Sequence, residues 1–220
     1  MNINTQHQIN FTARNKTIQK ADDVARLVNK CFPRVSPSKY ASMNNAHHFE
    51  NTIENLKQDL HYVRLIQNMS LQFGQDNLLL NITNYIKPIK RFKVGNCGES
   101  ADLAALIASS NGIKNVKIAR LLTPDKRRYD HAVVLVNDKK PYIIDAWLGF
   151  ADYVPNAIKR FQKEFRQYFD FAALGTEKIN IVPYENKKFR LQLLQTENFT
   201  KKQIEQIKKF FPEFILKSAD

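Results

Sequence analysis

Residues 93–106 read KVGNCGESADLAAL, and the rest of the fold is organised around this stretch. The pair Gly95-Asn96 is typical of a turn, because both residues tolerate unusual backbone angles. From Cys97 onward alanine and leucine dominate, which favours a helix that is buried on most sides. Asn111-Gly112 offers a left-handed C-cap, so the sequence predicts a buried helix of roughly 12 to 14 residues with Cys97 in its first turn.

A cysteine at the start of a helix is well placed for nucleophilic chemistry. The first turn carries backbone N–H groups without intrahelical partners, together with the positive end of the helix dipole. Both favour a thiolate at Cys97 over a neutral thiol. The same N–H groups are able to hydrogen-bond an oxyanion that develops on a substrate.

Two apolar segments farther along the chain are predicted to form a β-hairpin. Residues 131–136 read HAVVLV, residues 142–147 read YIIDAW, and the polar turn 137–141 separates them. Side chains alternate between the faces of a strand, so His131 and Asp145 share a face. They lie directly opposite each other or one diagonal step apart, within side-chain reach.

The carboxylate of Asp145 stands in an otherwise apolar run, where burying it without a partner is costly. His131 is the partner that the hairpin supplies. An aspartate that holds an imidazole in one tautomer is the orienting member of a catalytic triad. The sequence therefore predicts a Cys97-His131-Asp145 triad, with an acyl-transfer or amide-hydrolysing activity.

The pattern Gly95-x-Cys97-x-x-x-Ala101, followed by one strand with His131 and another with Asp145, resembles the core of transglutaminase-like enzymes within the papain-like superfamily. The resemblance covers roughly residues 93–150. It implies that Cys97 is the nucleophile, His131 the general base and acid, and Asp145 the orienting residue. It also implies that this helix packs on a mostly antiparallel sheet.

The family includes peptidases, glutamine deamidases, transglutaminases and other acyltransferases, so the resemblance indicates the chemistry more closely than the substrate. Two features depart from its better-known members. Residues 91–93 hold Arg-Phe-Lys where a papain-type oxyanion glutamine would lie, and Gly98 replaces the aromatic residue that often follows a transglutaminase cysteine. The short core is most similar to cysteine-dependent effectors of bacterial pathogens, which implies a role in virulence.

Three functions remain open at this point. The first is cysteine-dependent hydrolysis of protein amides, as a glutamine deamidase or a peptidase or isopeptidase. The second is a transglutaminase or other acyltransferase that uses the same triad. The third is a non-catalytic binding module for an acidic partner.

Composition narrows the class of protein. The chain has 220 residues, a net charge of +13 and two cysteines, Cys31 and Cys97, too few for a disulfide framework. We expect a globular protein with no cofactor. We also expect no metal site, because His47-His48 lacks further ligands at useful spacing. We also expect no secretory signal and no transmembrane segment, hence a cytoplasmic protein or one exported into a host cell by a specialised route.

The positive charge favours acidic partners, such as an acidic host protein or an anionic membrane surface contacted peripherally. The basic residues are spread along the chain and accompany no nucleic-acid-binding motif, so we expect no nucleic acid as a partner. We expect a protein substrate and a monomer. Lys126-Arg127-Arg128 directly precedes the histidine strand and would line the rim of the cleft.

The remaining segments complete a single predicted α+β domain over residues 1–220. Residues 1–92 form a helical front part, 93–150 the catalytic core, and 151–220 a helix, strands and a last helix. Within the front part, residues 1–16 read as loosely ordered, and helices are predicted from Thr17 to about Cys31, from Phe49 to about Met69 and from Asp76 to Ile86, where Pro88 ends the third. Later predictions are a strand at 116–122, a helix opened by Pro155, strands at 179–182 and 189–193, and a helix capped by Thr200 and Gln203.

Overall fold

A computed structural model describes residues 4–38, 50–73, 77–122, 131–168, 180–183 and 199–216. These residues form an α+β fold in which helices come first and an antiparallel sheet follows. In chain order the elements are α1 (Asn4–Cys31), α2 (Glu50–Phe73), α3 (Leu78–Phe92), α4 (Cys97–Ser110), β1 (Val116–Leu122), β2 (His131–Val136), β3 (Tyr142–Asp145), β4 (Phe150–Tyr153), α5 (Val154–Tyr168), β5 (Asn180–Pro183) and α6 (Lys201–Phe210).

The sheet has the strand order β4-β3-β2-β1-β5, and every neighbouring pair is antiparallel. The predicted hairpin is β2 and β3, with Val134 paired to Ile144 and Val136 to Tyr142. Because the two strands are antiparallel, the start of β2 lies beside the end of β3. This pairing therefore brings the first residue of one strand and the last residue of the other to the same end of the sheet.

Helices cover both faces of the sheet. The even-numbered residues of β2 and β3, such as Val134 and Ile144, are fully buried in one cluster with residues of α1 and α4. The odd-numbered residues, such as Val133 and Ile143, are fully buried in a second cluster with residues of α5. The alternation of strand side chains thus places the cysteine-bearing helix and α5 on opposite faces.

The cysteine-bearing helix agrees with the sequence prediction. It is α4, it has 14 residues, and Cys97 is the first of them. Its alanine and leucine side chains from Ala101 to Ala108 are at most 2% exposed, apart from the polar Asp102 at 4%. Asn111 caps its C-terminus, and Gly112 follows with a φ of +77°.

Two helix boundaries in the front part of the predicted fold are wrong. The helix α1 begins at Asn4, whereas residues 1–16 were expected to be loosely ordered. Extending an existing helix fixes one residue for each hydrogen bond gained, while nucleation fixes several, so a polar segment can prolong a helix that begins in an apolar one. The apolar positions that anchor α1, such as Val24 and Val28, are fully buried.

The second wrong boundary is at Pro88, which lies inside α3 instead of ending the helix. Proline removes one backbone hydrogen bond, but this helix continues through Ile89 to Phe92. Pro88 is buried and Ile89 is 1% exposed, so apolar burial after the proline offsets the lost bond. The helix ends where Lys93 adopts the left-handed conformation, with a φ of 52°.

The predictions for the end of the chain are confirmed where residues are described. The helix opened near Pro155 is α5, the strand at 179–182 is β5, and Thr200 caps α6 together with Gln203. The predicted strand at 189–193 lies outside the described residues, as do His47-His48 and residues 126–128. No helix in the described ranges offers a stretch long and apolar enough to cross a membrane.

The C-cap of α4 gives a prediction about stability. At Gly112 a Cβ would meet no atom within 4 Å, so Gly112→Ala adds only the cost of a left-handed backbone, about 1 kcal/mol of unfolding free energy. Gly112→Asn should cost less, because asparagine tolerates this conformation. Denaturant unfolding measures both, and an alanine variant as stable as the parent would contradict the assignment.

Candidate active site

His131 and Asp145 meet at one end of the sheet. His131 is the first residue of β2 and Asp145 is the last residue of β3. The pairing of Val134 with Ile144 sets Asp145 one diagonal step from His131, on the same face. His131 Nε2 lies 2.6 Å from Asp145 Oδ2, and both side chains are almost completely buried. The structure therefore brings together the two residues that the hairpin register predicted to be neighbours.

The second carboxylate oxygen of Asp145 is fixed by the backbone. Oδ1 accepts hydrogen bonds from the backbone N–H of Trp147 and of Leu148, both at 2.9 Å. The carboxylate turns the chain after β3 and is itself held in one orientation. Because neither oxygen can rotate away without losing a hydrogen bond, the imidazole of His131 is held in one orientation too.

Cys97 lies where the two core clusters meet, since it packs against both of them. It also hydrogen-bonds the imidazole of His131. Asp145 occupies Nε2 of the ring, so Nδ1 is the nitrogen that faces the sulfur. Cys97, His131 and Asp145, predicted as site residues from the sequence, thus form a contact series in the order thiol, imidazole, carboxylate.

The charge on His131 follows from these contacts. Burial by itself lowers the pKa of His131, because it removes water from the imidazolium. The charge and hydrogen bond of Asp145, and then the contacts with Cys97, outweigh burial and raise the pKa of His131 to about 10. An imidazolium at neutral pH is the form that stabilises a neighbouring thiolate.

Aromatic rings enclose the imidazole. The ring of Trp147 lies 5.1 Å from that of His131 between centroids, and the ring of Phe161 lies 5.9 Å away. Phe161 is fully buried on α5. The rings exclude water from the His131–Asp145 hydrogen bond, which strengthens it.

A chain of hydrogen bonds runs from Trp147 to the residue before the cysteine. Trp147 Nε1 donates to Ser36 Oγ at 2.9 Å, and Ser36 Oγ donates to Asn96 Oδ1 at 2.8 Å. Indole N–H can only donate, so the serine must accept from it and donate onward, which identifies the accepting atom of Asn96 as its oxygen. Asn96 Nδ2 is then a donor, and it has no partner among the described residues.

The turn before Cys97 is held by the short segment around Val35, which lies between α1 and α2. Val35 N donates to Lys93 O at 2.8 Å, and Gly95 N donates to Val35 O at 3.1 Å, which forms a parallel bridge. A Cβ on Gly95 would lie 3.0 Å from Arg34 Cδ, so a larger residue at this position would have to displace the Arg34 side chain. No local pattern signals this contact, because its partners are about 60 residues apart in the sequence.

Glu99 lies in the first turn of α4 and makes two contacts there. Its Oε2 accepts from Asn96 N at 2.9 Å, and its carboxylate binds Arg64 Nε at 2.8 Å and Nη2 at 3.3 Å. Burial raises the pKa of Glu99, but Arg64 and the Asn96 N–H outweigh it and lower that pKa. The pair fastens α2 to the first turn of α4.

Arg64 is also an electrostatic neighbour of the cysteine. Burial lowers the pKa of Arg64, whereas Glu99 and, to a smaller extent, the charge on Cys97 raise it. The guanidinium therefore adds positive potential near the Cys97 sulfur. In the described part of the chain no group of three His, Cys, Asp or Glu residues is arranged to hold a metal ion.

Comparison with protein-family models, with curated proteins and with solved structures gave no match. The resemblance to transglutaminase-like enzymes therefore stays a prediction from the residues around Cys97, His131 and Asp145. What the structure adds to it is the geometry of these three side chains.

The raised pKa of His131 gives a pH-dependent prediction. The folded protein keeps a proton on His131 that the unfolded chain releases near pH 6.5. The stabilising effect of this proton is complete below pH 6.5 and is lost as pH rises through about 10, the pKa of His131 in the folded protein. The unfolded chain also keeps a proton on Cys97 up to the ordinary thiol pKa of about 8.5, so the unfolding free energy should fall by up to about 1.4 kcal/mol per pH unit between about pH 8.5 and 10, relative to His131→Gln. Urea titrations of both proteins measure the difference, and parallel pH profiles would contradict it.

Proposed function

We propose that this protein is a cysteine-dependent hydrolase of protein amide bonds with a transglutaminase-like core. Cys97 is the nucleophile, His131 the general base and acid, and Asp145 the residue that orients His131. The observation that carries the proposal is the buried 2.6 Å contact between His131 Nε2 and Asp145 Oδ2, with Cys97 on the other ring nitrogen. A structural histidine would not require a thiol at a helix start as its second partner.

In the first step the proton of the Cys97 thiol resides on His131. The imidazolium then donates from Nε2 to Asp145 and from Nδ1 to the thiolate. The N-terminus of α4 and Arg64 add positive potential at the sulfur. The sulfur attacks the carbonyl carbon of an amide, which forms a C–S bond and moves the π electrons to oxygen.

The resulting oxyanion needs hydrogen-bond donors that are already in place. Backbone N–H groups in the first turn of α4 are the first source, because they have no intrahelical partners. Asn96 Nδ2 is the second source, since the chain from Trp147 through Ser36 fixes its amide orientation. In this protein Asn96 therefore takes the role that a papain-type glutamine has before the cysteine.

In the second step the imidazolium of His131 gives its proton to the leaving nitrogen, and the C–N bond breaks. A thioester on Cys97 remains. His131, now neutral, removes a proton from water, which attacks the thioester and restores the thiol. The products are a carboxylic acid and either ammonia, from a glutamine side chain, or an amine, from a peptide or isopeptide bond.

The reactivity of Cys97 is the direct test. We expect iodoacetamide to alkylate Cys97 at pH 6 at least about tenfold faster than Cys31, because His131 holds the proton of the thiol. Burial, and then the charge of Glu213, raise the pKa of Cys31, so this residue is a slow internal reference. Peptide mass spectrometry reads the two residues separately.

The matched control is His131→Ala, which should slow alkylation of Cys97 to the rate of Cys31 without changing Cys31. Asp145→Asn should have an intermediate effect, since the imidazole stays but loses its charged partner. Equal rates at Cys97 and Cys31 in the unmodified protein would refute an activated nucleophile. With glutamine-containing peptides, ammonia release without chain cleavage identifies deamidation, and new amino termini identify proteolysis.

The role of Asn96 can be separated from that of the thiol. Acylation of Cys97 by p-nitrophenyl acetate passes through an oxyanion, whereas alkylation by iodoacetamide does not. Asn96→Ala should slow acylation by about 10- to 1,000-fold and alkylation by less than about threefold. Equal slowing of the two reactions would mean that Asn96 positions Cys97 and donates nothing to the oxyanion.

A further inference from the structure

One face of α2 lines a cavity of about 380 Å3 that reaches Asn96, the residue directly before Cys97. Lys57, Leu60, His61 and Arg64 contribute this wall, and their spacing of three and four residues is that of a single helix face. Asn96 completes the lining together with residues 37 and 38. The cavity therefore adjoins the point at which a substrate carbonyl would approach the thiol.

The charge in the cavity has one sign. Lys57 and Arg64 line it, whereas their carboxylate partners, Glu54 and Glu99, do not. Lys57 and Glu54 are both largely exposed, so their 2.7 Å ion pair is weak in water and exchanges readily for another anion. Because the charged side chains that line it are cationic, the cavity favours a bound anion.

Arg64 keeps donor capacity toward the cavity. Its Nε and Nη2 donate to Glu99, and within the described residues Nη1 has no partner. A guanidinium held rigidly by one carboxylate is pre-organised for a second anion, since little rotamer freedom remains to be lost. Half of the Arg64 side chain is exposed, which leaves room for that anion.

We propose that this cavity is a subsite for the carboxylate of a Glu or Asp residue that flanks the scissile amide of the substrate. The subsite rests on the proposed function, because it positions a substrate for attack by Cys97. Lys57 and Arg64 Nη1 bind the carboxylate, His61 adds a donor, and the buried Leu60 contacts the aliphatic part of the side chain. The substrates are thus protein segments with an acidic residue next to the cleaved amide.

The experiment uses tripeptidyl vinyl sulfones that carry Glu or Gln at each of the two residues next to the reactive group. The Cys97 sulfur adds to the vinyl carbon, the π bond breaks, and His131 supplies the proton to the adjacent carbon. Inactivation kinetics separate the binding constant KI from the rate constant kinact. We expect a KI about tenfold lower for a Glu probe than for its Gln counterpart, as a charge-assisted hydrogen bond gives.

Lys57→Gln should remove most of this preference through KI and leave kinact within about twofold, whereas Lys57→Arg should retain it. Lys159→Gln is the matched control, because it makes the same charge change at an exposed position on α5, on the other face of the sheet. Two results would overturn the subsite while Cys97 still reacts. One is equal KI values for the Glu and Gln probes. The other is an equal loss of the preference for Glu in Lys57→Gln and Lys159→Gln. A Cys97 that fails to react with either probe would overturn the proposed function and the subsite with it.

Discussion

The structure depends on one buried carboxylate, that of Asp145. A charge that is 1% exposed is tolerable only if its oxygens are hydrogen-bonded. Here one oxygen binds His131 and the other binds two backbone N–H groups of the turn after β3. The same three hydrogen bonds fix the turn, the imidazole and, through the imidazole, the environment of Cys97.

The three side chains of the proposed site come from elements on opposite faces of the sheet. The helix α4 packs on the face of Val134 and Ile144, whereas His131 and Asp145 belong to the face covered by α5. They can meet only at the end of the sheet, where α4 begins, β2 begins and β3 ends. Cys97 contacts both core clusters for this reason, and a thiol one helical turn later would be buried under the sheet.

The N-terminal third of the chain supports this site. The segment around Val35 pairs with the turn before Cys97, Ser36 orients Asn96, and Arg64 binds Glu99 in the first turn of α4. These contacts hold a helix N-terminus that would otherwise fray, because its first N–H groups have no intrahelical partners. They also give the site a positively charged wall on α2, which a triad alone would not have.

The sequence by itself determined the elements whose signals are local. The alanine-rich run after Cys97, the turn at 137–141 and the parity that places His131 and Asp145 on one face are properties of neighbouring residues, and the structure agrees with each. The sequence prediction was wrong at Pro88, where apolar burial outweighs the effect of a helix-breaking residue. Only the tertiary structure decided the contacts of Ser36 with Asn96 and of Arg64 with Glu99, and with them the cavity on α2. Their partners are 35 to 60 residues apart, and no periodicity links residues that meet only when separate elements pack.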